Sequence, residues 1–375
     1  MAKENKQRVA VVLGGQSTEH QVSLVSGFNV FKAIPRDKYD VELIKITRNG
    51  QWSLIENADN LNAPEELEPD MGIQVLTGDP ESRGFFKLDQ NEDSVMVKPM
   101  PIDVVFPVLH GPLGEDGTLQ GLLQMADLPY VGCGVLASSV AMDKVFSKQL
   151  FFQNDLDTSD FMWFLRNDWK STPKLIRKAV ASEIGYPCFV KPANAGSSVG
   201  VSKVHTEDDL DVALNKAAEY DRKILVEKAI DARELECAIL GNEQPLASIV
   251  GEIIPAHEFY DYEAKYHNDA SELIIPANIS KDLEERIQKT AIAAFKALDG
   301  SGMARVDFLL EKNTGHLYLN EINTIPGFTS ISMYTKLWEA SGIRYGDLLD
   351  RLIQLAILRH EDMKQSNSIF HTNTF

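Results

Sequence analysis

Read for apolar and polar positions, the first third of the chain alternates short continuous apolar runs with longer mixed stretches. Val9 to Leu13 is an unbroken apolar run stopped by Gly14-Gly15, which predicts a buried strand. A helix is expected from about Glu19 to Ala33, strands at Val41 to Ile46 and Val104 to Leu109, and a helix at Leu119 to Ala126. Strands alternating with helices in this way predict a doubly wound parallel sheet. The stretch from Asn57 to Lys98 is acidic and weakly periodic, and a peripheral hairpin or insertion is expected there.

The pattern changes after about Gly132. Helices are expected at Ser138 to Gln153 and Pro173 to Ile184, then a strand Cys188 to Lys191, a glycine-serine loop, a strand Gly200 to Val204, a helix Glu207 to Tyr220 and a strand Lys223 to Lys228. This reads as a small α+β unit closed by its own strands. The remainder carries a Tyr-rich charged loop (His257 to Ser271), a helix Asp282 to Leu298, strands Met303 to Glu311 and His316 to Ile322, and an amphipathic helix near Tyr345 to Leu358. Three units are therefore expected, over 1–132, 133–227 and 228–375.

Composition narrows the partners. The chain has 375 residues, 44% of them hydrophobic and 25% charged, enough for two or three cores of ordinary globular type. A net charge of −18 disfavours nucleic acid and anionic membrane and suits a small-molecule enzyme. Cys133, Cys188 and Cys237 are far apart with no Cys-x-x-Cys pair, so they read as core thiols of a reducing compartment. The first apolar run is too short for a signal-peptide core, and no apolar run is long enough to span a membrane. A cytoplasmic location is the expectation.

The strand pair around Arg305-Val306-Asp307-Phe308 and Asn320-Glu321-Ile322-Asn323 is the clearest candidate site. Side chains alternate along a strand, so Arg305 shares a face with Asp307, and Glu321 with Asn323. A three-residue loop Asn313-Thr314-Gly315, with Gly315 left-handed, sets Asp307 opposite Glu321 and Arg305 near Asn323. Opposed carboxylates repel, and Asp, Glu and Asn together form the oxygen set that a hard cation such as Mg²⁺ takes. A solvated acidic strand pair is the plain alternative.

A second candidate is the turn Lys191 to Gly200, rich in glycine and serine, whose backbone N–H groups, hydroxyls and lysine can wrap a triphosphate. A flexible hairpin explains the same residues equally well. The Walker A order is absent. A third is Gly14 to His20 after the first strand, with Glu19 in the first helical turn, and a further strand ends in His110-Gly111 through Gly117. Two strand ends of a doubly wound sheet so converge on one crevice.

Seven ordered segments carry a resemblance: Leu-Gly-Gly-x-Ser-x-Glu-His from Leu13, His-Gly-x-x-Gly-Glu-Asp-Gly from His110, Met-Asp-Lys ending at Lys144, Gly-Ser-Ser-Val-Gly from Gly196, Tyr-Asp-Tyr-Glu-Ala-Lys-Tyr ending at Tyr266, Arg-Val-Asp-Phe from Arg305, and Asn-Glu-Ile-Asn-Thr-Ile-Pro-Gly-Phe-Thr from Asn320. In this order they resemble the D-alanine:D-alanine ligases, over residues 9 to about 355. The resemblance implies a three-domain ATP-grasp fold, mixing α/β and α+β, whose middle and last domains clamp ATP. It implies ATP and D-alanine as substrates, two Mg²⁺ ions with Mn²⁺ able to substitute, and a homodimer. The implied product is D-alanyl-D-alanine for peptidoglycan, with D-lactate or D-serine ligases as relatives on one scaffold.

Carried over by position, Lys144 and Lys191 are implied to bind ATP phosphates, Ser197 and Ser198 to lie over the γ-phosphate, Glu227, Lys228, Ala229 and Ile230 to meet adenine, and Glu234 to hold the ribose. Asp307, Glu321 and Asn323 match the family's metal ligands. Arg305 and the Gly327 N–H are implied to steady a tetrahedral oxyanion, and Glu19 to grip the first substrate's ammonium near His110. Lys265 and Ser332 are implied to take the second substrate's carboxylate, with Met333 where leucine is common. Tyr266 is the tyrosine that accompanies dipeptide rather than depsipeptide formation, with a hydroxyl in reach of Ser197 and Glu19.

Overall fold

A computed structural model describes residues 6–78, 83–91, 94–196, 199–254, 272–329 and 331–366. The chain builds three sheets in sequence order. The first begins with β1 (Gln7–Gly14), α1 (His20–Ala33) and β2 (Tyr39–Ile46), continues through β3 (Trp52–Leu54), β4 (Met71–Leu76), β5 (Gly84–Asn91) and β6 (Ser94–Met100), and ends with β7 (Val104–Val108) before α2 (Thr118–Met125). Its order is β6-β5-β4-β3-β2-β1-β7. Only β2, β1 and β7 are parallel, as expected of the apolar runs, and β1 and β7 are buried on both faces. The stretch expected to form a peripheral hairpin or insertion carries β4 to β6, which with β3 extend this sheet as an antiparallel meander ending in the β5–β6 hairpin at its edge. Its edge strand β6 is exposed at almost every position, which is why no apolar rhythm announces it.

Where one helix was expected over Ser138 to Gln153 there are two, α3 (Val135–Met142) and α4 (Lys144–Gln153). Asp143 separates them and caps the second, its Oδ1 accepting from the N–H groups of Val145 and Phe146 at 3.1 and 3.3 Å. The second sheet follows: β8 (Phe161–Leu165), α5 (Arg166–Ser171), α6 (Pro173–Ala179) with a π turn to Ile184, β9 (Cys188–Pro192), β10 (Ser202–Val204), α7 (Glu207–Tyr220) and β11 (Lys223–Lys228). The order is β10-β9-β11-β8, all antiparallel.

The third sheet, ordered β14-β13-β12-β15-β16, is an antiparallel array of β12 (Ala232–Gly241), β13 (Leu246–Ile254), β14 (Glu272–Ile274), β15 (Gly302–Glu311) and β16 (Leu317–Asn323), with α8 (Lys281–Ala297), α9 (Met333–Ala340) and α10 (Tyr345–Lys364) around it. α8 drives Ile287, Ala291, Ala294 and Phe295 into the sheet at helical spacing, beneath a serine cap at Ser280.

The cores are unevenly shared. One apolar cluster runs from Val9, Phe106 and Val108 of the first sheet through Leu240 and Met303 of the third to Leu349 and Ile353 of α10, so these two parts form one body. The second sheet keeps its own core of Val190, Leu214, Ile224 and Val226. Both chain crossings into it are tied to the β15–β16 hairpin. The Leu319 N–H donates to the Asp157 carbonyl at 2.7 Å, and the Lys312 N–H to the Asp231 carbonyl at 3.0 Å. Among the described residues no helix is long and apolar enough to cross a membrane.

Candidate active site

The two parallel strand ends and the glycine-serine loop meet on one side chain. Glu19 follows β1 and is 5% exposed, its N–H donating to Ser17 Oγ at 3.2 Å while Ser17 donates to the His110 carbonyl at 2.6 Å. A Cβ at Gly111 would lie 2.9 Å from Glu19 Oε2, and one at Gly196 2.5 Å from the same atom. Only glycine lets both loops close on this carboxylate. His110 is buried, with Nδ1 3.1 Å from the Ile325 carbonyl. A carbonyl accepts, so Nδ1 carries the proton and Nε2 is left as an acceptor; it has no hydrogen-bond partner among the described residues. Burial chiefly holds the imidazole below its ordinary range, favouring this neutral form.

The hairpin register agrees with the expectation by a different route. Asp307 pairs with Glu321 and Arg305 with Asn323. The turn is one residue longer than expected, because the Glu311 N–H already bonds the His316 carbonyl, and a bulge at Asn320 restores the pairing. Gly315 is left-handed, φ +69°, as that turn requires. Arg305 forks onto Asp307, Nε to Oδ1 and an Nη to Oδ2, both at 2.7 Å, and Asn323 Nδ2 donates to Oδ2 at 3.1 Å. Lys144 opens α4, donates from Nζ to the Ala195 carbonyl at 2.9 Å, and lies 3.5 Å from Glu321 Oε2. It joins the phosphate-loop candidate to the acidic hairpin. The opposed carboxylates are thus neutralised by Arg305 and Lys144. The remaining donors, all oxygen, sit on adjacent strands and fit a hard divalent cation.

Glu227, expected at adenine, has its side chain turned inward. It is 3% exposed and bridges Lys191 and Lys148, the latter at 3.2 Å. Burial pushes this carboxyl up, yet the two lysines outweigh it and hold it down at about 2. Lys191 is raised by the same contact against its own burial, whereas the more deeply buried Lys148 is lowered, so it bears the desolvation cost. The Glu227 side chain is therefore engaged by the two lysines, and the other residues implied at adenine follow it in the chain. There Lys228 turns its side chain to solvent, Ala229 and Ile230 are half-buried, and the Ala229 N–H donates to the Pro187 carbonyl at 3.1 Å. Glu234 is half-buried on β12, its charge felt at Lys191.

Gly327 lies on the turn after β16, anchored by the Phe328 N–H on Ser26 Oγ at 3.3 Å. Ser332 Oγ accepts from the Thr329 N–H at 2.9 Å. Met333 follows it with its side chain 4% exposed and packed in the core beside Gly251, which leaves its backbone for a ligand. Ser197, Ser198, Lys265 and Tyr266 lie outside the described residues.

Sequence reasoning missed three charged groups here. Lys148 reads as an ordinary helix lysine and Glu236 as one acidic residue among many. Glu115 lies within the strand-end segment but was given no role. Its Oε1 accepts from the Gly111 N–H at 2.8 Å, and it lines the cleft with Lys144, Gly196, Glu321 and Asn323. Burial, reinforced by the Glu19 charge, pushes its carboxyl up to about 8.

Comparison with known proteins agrees in two parts. The sequence profile of the D-ala D-ala ligase N-terminus matches residues 8–133 and that of the D-ala D-ala ligase C-terminus residues 150–354. The D-alanine--D-alanine ligase of Heliobacterium modesticaldum is 51% identical, the match covering 97% of this chain and 98% of that protein, and that of Acetivibrio thermocellus is 48% identical over 96% and 98%. Among solved structures, the D-alanine-D-alanine ligase from Coxiella burnetii superposes with a TM-score of 0.81 at 36% identity, covering 96% of each chain. The VanG D-Ala:D-Ser ligase from Enterococcus faecalis superposes with 0.82 at 35%, covering 94% of this chain and 100% of that one. The chain belongs to the D-alanine:D-alanine ligase family.

Proposed function

We propose that this member of the family joins two D-alanine molecules into D-alanyl-D-alanine at the expense of ATP, releasing ADP and phosphate, in the synthesis of peptidoglycan precursors. The observation that carries the reading beyond family membership is the convergence of Glu19, Lys144, Arg305 and the Asp307–Glu321 pair on one cleft.

A carboxylate is a poor electrophile, so the first D-alanine is activated by transfer of the γ-phosphoryl group to its carboxylate oxygen. The amine of the second D-alanine then attacks the acyl carbon, loses a proton and expels phosphate. Glu19, buried against Gly196, suits the first substrate's ammonium, and the acceptor Nε2 of His110 offers a second contact. Lys144 from α4 and Lys191 from β9 of the central sheet suit phosphate oxygens. Arg305 and the Gly327 N–H suit the oxyanion of the tetrahedral state, where losing one donor costs about 3–4 kcal/mol of barrier. Asp307, Glu321 and Asn323 would hold two Mg²⁺ ions, with Mn²⁺ as a substitute, which when bound neutralise the phosphate charge. Ser332 and Lys265 are assigned to the second substrate's carboxylate, and Ser197, Ser198 and Tyr266 to closing the site.

A homodimer in the cytoplasm is the assembly and location this reading carries. The D-Ala:D-Ser ligase among the structural relatives makes the second substrate the point to test. Incubation with ATP, Mg²⁺ and D-alanine, alone and with D-lactate or D-serine, followed by mass analysis, should give the dipeptide as main product. Predominance of a mixed product with D-serine or D-lactate would reassign the second site, and no ATP-dependent product at all would reject the reading.

A further inference from the structure

Three carboxylates stand in one cross-strand row of the third sheet, because Glu236 on β12 pairs with Asp307 on β15, and Asp307 with Glu321 on β16. Directly paired residues project to the same face. In the neighbouring row Arg305 is flanked by Ala238 and Asn323, and the small alanine leaves the guanidinium room to lean back over β12. Glu236 is 5% exposed, and its Oε2 lies 3.0 Å from Arg305 Nε, whose hydrogen is directed to Asp307 Oδ1 at 2.7 Å. Nε carries one hydrogen, so the two carboxylates compete for it.

We infer that Glu236 is a positioning residue for Arg305. When Asp307 is drawn to a divalent cation, the guanidinium exchanges Asp307 for Glu236 as its main acceptor. It is then retained in the site, with its Nη groups turned towards the reacting carbonyl. The arrangement follows from charge. A cation on Asp307 repels the guanidinium now forked across both of its oxygens, and Glu236 is the buried carboxylate already within ion-pair distance. Glu236 therefore eases metal entry by giving the displaced charge somewhere to go. The inference rests on the reading of Asp307 as a metal ligand.

The test uses Glu236→Gln, close to isosteric, with Arg305→Met and the double variant, in the full-length protein. The first readout is the Mg²⁺ midpoint for thermal stabilisation by ADP, which needs no turnover. Glu236→Gln leaves Arg305 wholly to Asp307, so the midpoint should rise about tenfold. Arg305→Met removes the competitor and should lower it, and adding Glu236→Gln to that background should change little. The second readout is kinetic: Glu236→Gln should lower kcat about tenfold or more while leaving the KM for D-alanine near the parent value. An unchanged Mg²⁺ midpoint in a folded Glu236→Gln protein overturns the inference. So does an equal rise in the Arg305→Met background, which would mark a through-space loss of negative charge. Should Glu236→Gln fail to fold, Glu236→Asp, which shortens the reach but keeps the charge, should give a smaller rise, and no rise overturns the proposal. A wild-type protein that makes no dipeptide while the midpoints shift as stated would reject the ligase reading and leave the Arg305 exchange standing.

Discussion

Two ion clusters, one on the central sheet and one on the third, have opposite charge balances. On the central sheet one carboxylate, Glu227, is shared by Lys148 and Lys191, which leaves positive charge in excess. On the third sheet one guanidinium, Arg305, stands among Glu236, Asp307 and Glu321, which leaves negative charge in excess even with Lys144 against Glu321. On the proposed reading each surplus would be relieved by a ligand of opposite sign. Phosphate oxygens suit the first wall and metal cations the second, and a nucleotide complexed with a divalent cation carries both. The difference teaches that the fold sets opposite charge on two neighbouring sheets instead of cancelling it within each.

The sharpest way to break the comparison is on the acidic wall. Glu321→Gln should lower turnover on the order of 10³-fold or more with the melting temperature little changed, measured by phosphate release and thermal unfolding. Substantial Mg²⁺-dependent turnover in that variant would count against the metal assignment. On the basic wall the expected effect is on folding. Glu227→Gln strands two buried ammonium groups and should cost about 3–5 kcal/mol in urea unfolding, most of it recovered by adding Lys148→Met. A loss under about 1 kcal/mol would mean that Glu227 does not hold the cluster together.

The two perturbed carboxyls sharpen the contrast through pH. Glu227 is held at about 2, so its stabilisation is present above the ordinary 4.5 and is lost as pH falls from there towards 2. Glu115, pushed up to about 8, does the reverse: its protonated form is favoured by the fold, and stability is lost as pH rises from 4.5 through 8. Glu115→Gln should therefore gain on the parent protein between about pH 5 and 8 and gain nothing near pH 4. Parallel stability curves for the two proteins over that range would contradict the raised carboxyl. The smallest effect is expected at Tyr266→Phe, which should raise depsipeptide formation from D-lactate relative to dipeptide by a few-fold. Product ratios unchanged across pH would remove Tyr266 from the specificity argument.

What was legible in the sequence is what a strand's two-residue period or an unbroken apolar run enforces. Alternation alone grouped Asp307, Glu321 and Asn323, and the apolar runs marked β1 and β7. The bulge at Asn320 was not legible, because an extra turn residue and an extra strand residue cancel in the register. A peripheral hairpin was legible at β5 and β6, but its strands could not be delimited because the edge strand β6 faces solvent and keeps no apolar rhythm. Asp143 looks like any helical acid until Lys223, 80 residues on, pairs with it, and the inward turn of Glu227 needed Lys148 from a different element. The burial of Met333 was not legible either, because the space its side chain fills lies under Gly251 of another element.

The crossings at Asp157 and Asp231 also bear on how the protein moves. The central sheet is held at these two points and, separately, along α4, where Lys148 meets Glu227 at 3.2 Å and the Lys144 N–H donates to the Ala193 carbonyl at 3.1 Å. Both points here lie at the loop end of the β15–β16 hairpin, each held by a backbone bond of 3.0 Å or less. The loop end of the acidic hairpin and α4 thus act as separate moorings, and the central sheet is braced on two sides instead of turning about one line.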